Sequence, residues 1–273
     1  MPVDTETKED PNMTRKYVVT GAASGIGKAL TEQLRAEGHT VFGVDLRDAD
    51  VTVDLTTAEG RIGLVDQVTE LSGGTVDAVI AVAGLSAPIP ATVGVNYFGA
   101  IATLDGLRPL LAGSTSPRAA VVASLAALEP IDQPLHDALL SGDETAALEL
   151  ARAIADAPTD TPSNAIYNTS KNAIALWVRT QAPTPEWAGA GIALNAIAPG
   201  VIETPMIAAI LATEEGRAAL AAGAPAPLNG PAAPATAPAA LLAWLTSEQN
   251  SHVTGQVIFV DGGAEVIRRP EAV

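Results

Sequence analysis

"KYVVTGAASGIGKAL", residues 16–30, decides the fold. Its first five residues are a short, apolar, β-branched run that closes on a glycine, which reads as a buried strand. Ile26, Leu30 and Leu34 then fall on one face of a helix, and Gly38 is placed to stop it. Between strand and helix, Gly21, Gly25 and Gly27, with Ser24 and Ile26 among them, let the chain turn sharply and bring bare backbone close to a ligand. The helix that follows offers unpaired N–H groups and a positive dipole end, which suit a pyrophosphate. A lone glycine triplet says little, but strand, turn and helix in direct succession point to a dinucleotide site. A P-loop would need glycine at 22 and Ser or Thr at 29, and both positions are alanine.

Outward from this unit the pattern repeats. "TVFGVD" (40–45) and the shorter "VTVD" (51–54) read as strands, and a helix through "AEGRIGLVDQVTEL" (58–71) leads to "VDAVIAVAG" (76–84). "RAAVVAS" (118–124), "GIALNAIAPG" (191–200) and "QVIFVDGG" (256–263) complete seven strands. Strands alternating with helices predict a parallel sheet covered on both faces. Right-handed crossovers make it an α/β, doubly wound Rossmann fold. The expected layout is a flexible leader over 1–15, with Met13 as an alternative start, and one oxidoreductase domain over 16–273. A Pro- and Ala-rich stretch at 221–240 lies between core elements; it is either a plain linker or part of a flap, about 203–235, over a site.

Asp45 closes the second strand eighteen residues after Gly27, followed by Leu46. A carboxylate there can accept hydrogen bonds from an adenosine ribose and repels a 2′-phosphate. Arg47 is the one nearby group that favours NADP; with Ser24 rather than a base before Gly25, the cofactor predicted is NAD.

Composition narrows the classes. At 273 residues and 48% apolar, the chain can bury one sizeable core, built from Ala, Val, Leu and Ile because aromatics are only 3%. There is no cysteine, hence no disulfide, thiol nucleophile or Cys-held metal, and three scattered histidines show no ligand spacing. The net charge of −16 repels phosphate backbones, so nucleic acid is not an expected partner. No apolar run is long enough for a membrane span, and "MPVDTETKEDPNMTRK" lacks the apolar core of a secretory signal, so a cytoplasmic protein is expected.

"NAIYNTSKNA" (164–173) sets Lys171 four residues after Tyr167, one helical turn on and on the same face. A free phenol with a pKa of about 10 is a poor base at neutral pH, and a nearby ammonium favours phenolate. By itself the pair is suggestive and no more.

The spacing TGxxxGxG resembles the short-chain dehydrogenase/reductase family. So do "DL" at 54–55, "AG" at 83–84, "VNYFGA" at 95–100, a serine closing the fifth strand, "YNTSK", "LNAIAPGVIETP" at 194–205 and "TGQVIFVDGG" at 254–263. The resemblance covers about residues 16–269. "VDLRDADV", "TAEGR", "VNYFGA" and "YNTSKNA" look most like its bacterial 3α-hydroxysteroid dehydrogenase/carbonyl reductase branch. The resemblance implies roles. Tyr167 is the general acid/base, Lys171 grips the nicotinamide ribose, Ser124 bonds the substrate oxygen, and Asn96 holds a water between Lys171 and solvent. Asp54 and Leu55 meet adenine; Ala83 and Gly84 line a ribose; Pro199, Gly200, Ile202 and Thr204 orient the carboxamide. Asn195 and "DGG" read as structural. Two departures stand out: Ala81-Val82-Ala83-Gly84 replaces the usual Asn-Asn-Ala-Gly, and Ala123-Ser124 replaces a serine pair. An alternative register puts Leu125 at the serine position and leaves no hydroxyl.

Ser124 and Tyr167 stand 43 residues apart, longer than the family's common spacing, so about 126–163 is an insertion. Within it Ser141 to Glu144 reads as a capping box, opening a helix that stops at Pro158 with an apolar face of Ala147, Leu150, Ala151 and Ile154. That face either packs on its own subunit or adds a pocket wall and dimer surface. The function expected is NAD-dependent interconversion of a secondary alcohol and ketone on an apolar, alicyclic, steroid-like substrate, by a homodimer or homotetramer without metal. Terpenoid or dihydrodiol oxidation on the same scaffold, and a silent NAD-binding regulator, are the alternatives.

Overall fold

A computed structural model describes residues 14–157 and 164–272. The leader up to residue 13, Met13 included, and Pro158 lie outside them. Packing begins one residue earlier than expected. Arg15 is buried, and its guanidinium donates to the carbonyls of Ser116 (2.8 Å), Asp77 (3.3 Å) and Thr246 (3.3 Å).

The first strand, β1 (Lys16–Thr20), runs into helix α1 (Gly25–Ala36), then β2 (Thr40–Asp45), β3 (Val51–Thr52), α2 (Ala58–Ser72) and β4 (Ala78–Ala81). Helix α3 (Pro90–Val93) leads through a π-helical turn, Gly94–Gly99, into α4 (Ala100–Leu107), and β5 (Arg118–Val122) follows. Helices α5 (Gln133–Ser141), α6 (Glu144–Ala155) and α7 (Ala165–Gln181) precede β6 (Ala193–Pro199). An excursion then carries β7 (Ile202–Glu203), α8 (Ala208–Leu211), α9 (Glu214–Gly223) and β8 (Ala233–Pro234). The chain returns through α10 (Thr236–Leu245), β9 (Val257–Val260) and α11 (Ala264–Arg268).

Seven strands form one parallel sheet in the order β3-β2-β1-β4-β5-β6-β9, while β7 and β8 pair separately. These are the seven strands predicted, and the sheet is the doubly wound one expected. The order reverses between β1 and β4, which opens a crevice at the carboxyl ends of the strands. Two apolar layers cover the faces. Leu30, Leu34, Ala239 and Leu242 of α1 and α10 fill one, and Leu64, Leu104, Ile174 and Val178 of α2, α4 and α7 fill the other, all essentially inaccessible. Asn195 is structural, as read: its amide donates to Val253 O (2.8 Å) and its carbonyl oxygen accepts from Gln256 N (3.1 Å), joining β6 to the approach of β9. "DGG" makes a turn at the sheet edge, with Asp261 accepting from Gly263 N (3.0 Å) and Glu265 N (2.6 Å).

The insertion departs from the reading in detail. Ser141 caps nothing: it is the last residue of α5, a helix not foreseen, and its hydroxyl donates to Ala138 O (2.9 Å). Gly142, in the left-handed region (φ 75°), ends that helix, and Asp143 caps the next by accepting from Ala146 N at 3.0 Å. Glu144 is freed from the box and instead forms a two-pronged ion pair with Arg61 of α2, at 2.9 and 2.8 Å. Ala147 and Ala151 are fully buried and Leu150 and Ile154 pack against the same core, so the apolar face lies on its own chain. If Asp143 is the cap, Asp143→Ala destabilises by about 1 kcal/mol, and Ser141→Ala by less than about 0.5 kcal/mol, in urea denaturation of the two variants.

Candidate active site

Two glycines fix the turn between β1 and α1. Gly21 has φ 70° and sits where a Cβ would meet Ala83 backbone at 3.0 Å; a Cβ on Gly27 would lie 2.2 Å from Gly21 O. Bare backbone is therefore required at both. The turn borders a cavity of about 900 Å³ at the carboxyl ends of the strands. Ser24 precedes α1 without a side-chain cap bond, so its hydroxyl and the first-turn N–H groups of the helix face the cavity unpaired.

With the Asn pair of the expected motif gone, β4 is anchored differently. Thr20 Oγ1 accepts from both Val82 N and Ala83 N, each at 3.0 Å, and holds Ala83 and Gly84 against the glycine turn. Such bonds contribute about 1 kcal/mol each, and leaving buried donors unmet costs more. Asp45 lines the next stretch of wall. It accepts from Ala23 N (3.0 Å) and Leu46 N (2.7 Å), which fixes its carboxylate beside the turn, with Arg47 also on the lining. Asp54 lines the cavity too, with one oxygen taken by Thr56 N (2.9 Å) and Thr56 Oγ1 (2.7 Å).

The other end of the cavity gathers Ser124, Tyr167 and Lys171. Ser124 closes β5 in extended backbone, and its Oγ accepts from Ala126 N at 3.1 Å, leaving the hydroxyl hydrogen free to be donated. Ser124 brings a hydroxyl to the lining, and Leu125 lines the cavity beside it. Lys171 is 4% exposed and donates to Val122 O at 2.7 Å; its Nζ lies 5.8 Å from the Tyr167 ring centre. Burial pushes the Lys171 ammonium down to about 8. Burial raises the Tyr167 phenol, and the Ser124 hydroxyl draws it back down. The ammonium was expected to favour phenolate, and the Ser124 hydroxyl acts in the same direction.

Helix α7 also pins the loop after Ser124. Asn172 Nδ2 donates to Ala127 O (2.8 Å), Thr169 Oγ1 accepts from Asp132 N (2.9 Å), and Asn168 Nδ2 donates to Pro130 O (3.4 Å).

Every cofactor and catalytic residue expected from the sequence lines this cavity except Asn96. Expected to hold a water, Asn96 has its side chain behind the wall. It accepts from Leu85 N (2.8 Å) and donates to Leu85 O (2.9 Å) and Ser170 Oγ (3.0 Å). Glu129 and Arg268, which form an ion pair on the lining, were not foreseen, while Met206, Ile207 and Leu220 bring an apolar wall from the 203–235 stretch for which a flap was one reading. Among the described residues, no cluster is placed to hold a metal ion, and no helix is long and apolar enough to cross a membrane.

Residues 17–105 match the model of the NAD dependent epimerase/dehydratase family and 147–265 that of the enoyl-(acyl carrier protein) reductase family. Each model covers less than half of the chain. The chain is 37% identical over 258 residues to a 3-alpha-hydroxysteroid dehydrogenase/carbonyl reductase of Comamonas testosteroni, spanning 93% of this chain and 97% of the relative. It is 30% identical over 269 residues to an uncharacterized short-chain type dehydrogenase/reductase of Sinorhizobium fredii, spanning 94% of this chain and 44% of that protein. The crystal structure of a 3-alpha-hydroxysteroid dehydrogenase from a Pseudomonas species, complexed with NADH, superposes with a TM-score of 0.84 at 36% identity, covering 94% of this chain and all of that one.

The lysine carries a pH signature. Between about pH 8 and its ordinary 10.5, the unfolded chain holds a proton that folded Lys171 has released, so this residue makes stability rise with pH across that window. Lys171→Met removes that part of the rise, measured as the difference between the two stability–pH curves.

Proposed function

The chain belongs to the short-chain dehydrogenase/reductase family, and on that footing we propose that it interconverts a secondary alcohol and ketone on an apolar, alicyclic, steroid-like molecule, with NAD as cofactor. The observation that carries the reading is one cavity with two chemically distinct ends. A bare glycine turn, an uncapped helix start and the Asp45 carboxylate stand at one end, and Ser124, Tyr167 and Lys171 at the other.

The cofactor end fits the group. Gly21, Gly25 and Gly27 leave room for a pyrophosphate against backbone N–H groups, and Asp45 offers a carboxylate to ribose hydroxyls. Asp54 and Leu55 would border adenine, Ala83 and Gly84 would line a ribose, and Pro199, Gly200, Ile202 and Thr204 would orient the carboxamide; all of them line the cavity. Bound there, NAD supplies the hydride acceptor for oxidation and NADH the donor for reduction.

The protein handles the proton. Ser124, its Oγ fixed by Ala126 N–H, donates its hydrogen to the substrate oxygen and stabilises the charge that develops there. Tyr167 Oη, as phenolate, takes the alcohol proton in oxidation, and as phenol it gives a proton to the ketone oxygen in reduction. Lys171 spends one N–H on Val122 O and keeps two for ribose hydroxyls, which orients the reacting carbon. Asn96 positions the wall: its clamp on Leu85 holds the turn after Gly84, and its bond to Ser170 ties that turn to the Tyr167 helix. Asn96 also holds the water between Lys171 and solvent that the family resemblance implies. Beside the Glu129–Arg268 pair the substrate side is an apolar wall, with Leu85, Leu125, Pro130, Met206 and Leu220 facing the cavity. It suits a ring system better than a polar chain, in keeping with the hydroxysteroid relatives.

The test is turnover on a panel of steroid, terpenoid and simple cyclic alcohols, each with NAD and with NADP. NAD is expected to be preferred, and a strong preference for NADP overturns the reading of Asp45. Tyr167→Phe is expected to bind NAD as the parent does and to lose about 100- to 10,000-fold in turnover; near-normal turnover contradicts its role.

A further inference from the structure

One guanidinium ties together three segments that rim the substrate end of the cavity. Arg268, in the last turn of α11, pairs with Glu129 and also donates to Gly223 O. Glu129 lies five residues beyond Ser124, in the loop that α7 pins through Asn168, Thr169 and Asn172. Gly223 is the last residue of α9, within the excursion 203–235. Arg268 is itself anchored, because the Asp261 carboxylate holds the first turn of α11.

The excursion has few other attachments. No residue of α9 is buried. Its ends are held by the short β7–β8 pair and by Leu228 N donating to Gly262 O at 3.1 Å. Among the described residues, the Arg268–Gly223 bond is the one side-chain hydrogen bond that joins 205–232 to the rest of the chain. Yet this segment supplies Met206, Ile207 and Leu220 to the cavity wall.

We propose that Arg268 is a positioning residue: it latches the 203–235 flap to the Ser124 loop and so closes the apolar wall over the substrate. This rests on the reading of the cavity as a substrate site. Arginine suits the task, since its planar fork can meet a carboxylate and a carbonyl at once, whereas lysine presents a point charge. A charge-assisted bond of this kind contributes enough to change a local opening equilibrium about tenfold.

Arg217, exposed in α9, is the sole Lys or Arg of 203–235, so tryptic cleavage after it reports local opening of the flap. Limited trypsinolysis of the full chain is compared for the parent, Arg268→Ala, Arg268→Lys and Glu129→Gln, with thermal melts alongside. Cleavage after Arg217 is expected to be about tenfold faster in Arg268→Ala and intermediate in Arg268→Lys and Glu129→Gln, with melting unchanged. With an active substrate, KM rises in Arg268→Ala while kcat holds or increases. Parent-like cleavage in a folded Arg268→Ala overturns the latch, as does a fall in kcat at constant KM. Should Arg268→Ala fail to fold, the other two variants decide by the same cleavage rates. The proteolysis arm needs no substrate, so it stands or falls apart from the assignment of the reaction.

Discussion

The structure hangs on two backbone N–H groups that run past the end of β4. Val82 and Ala83 lie beyond the last ladder pair of that strand, at the point where strand order reverses, and both donate to the Thr20 hydroxyl. The single acceptor meets two donors that a parallel sheet would otherwise leave unpaired, and unmet donors in such a place are costly. It also sets the height of Ala83 against Gly21, where the space excludes even a methyl group. The crevice thus has a fixed floor, and the glycine turn, Asp45 and Gly84 keep their places around it.

From that floor the site is built by two kinds of element. Strand ends supply the parts that must not move: Ser124 at the end of β5, Pro199 and Gly200 at the end of β6, Asp45 at the end of β2. Helix α7 adds Tyr167 and Lys171 on one face and spends its Asn and Thr side chains on the loop after Ser124. The insertion, whose apolar face is buried on α3 and α7, backs this helix without reaching the cavity through α6. The excursion after β6 is lightly tethered and apolar toward the cavity, which is the division of labour expected of a rigid catalytic frame with a loop that selects substrate.

Much of this was legible in the sequence, for local reasons. Seven β-branched runs, the glycine turn and the Tyr167–Lys171 spacing are features within a few residues of one another, and all formed as read. Boundaries inside the insertion were misread because Ser141 and Asp143 compete as caps two residues apart. The αL position of Gly142 decides for Asp143, and the pair "SGD" did carry that signal. Asn96 was given to chemistry, and its amide also answers the backbone of Leu85, a demand that exists only once the turn after Gly84 has formed. Thr20, Glu129 and Arg268 had no local signal at all, since their partners stand 45 to 139 residues away.

The reaction proposed is hydride transfer between a cyclic alcohol and NAD at the Ser124–Tyr167–Lys171 end of the cavity. The most direct test uses cyclic secondary alcohols deuterated at the carbinol carbon, mixed with the protein and NAD, followed by mass analysis of the recovered cofactor. Deuterium is expected on the nicotinamide as ketone accumulates, with none carried over by Tyr167→Phe at comparable times. NAD bound by the folded protein, with no deuterium transferred from any alcohol, would contradict it.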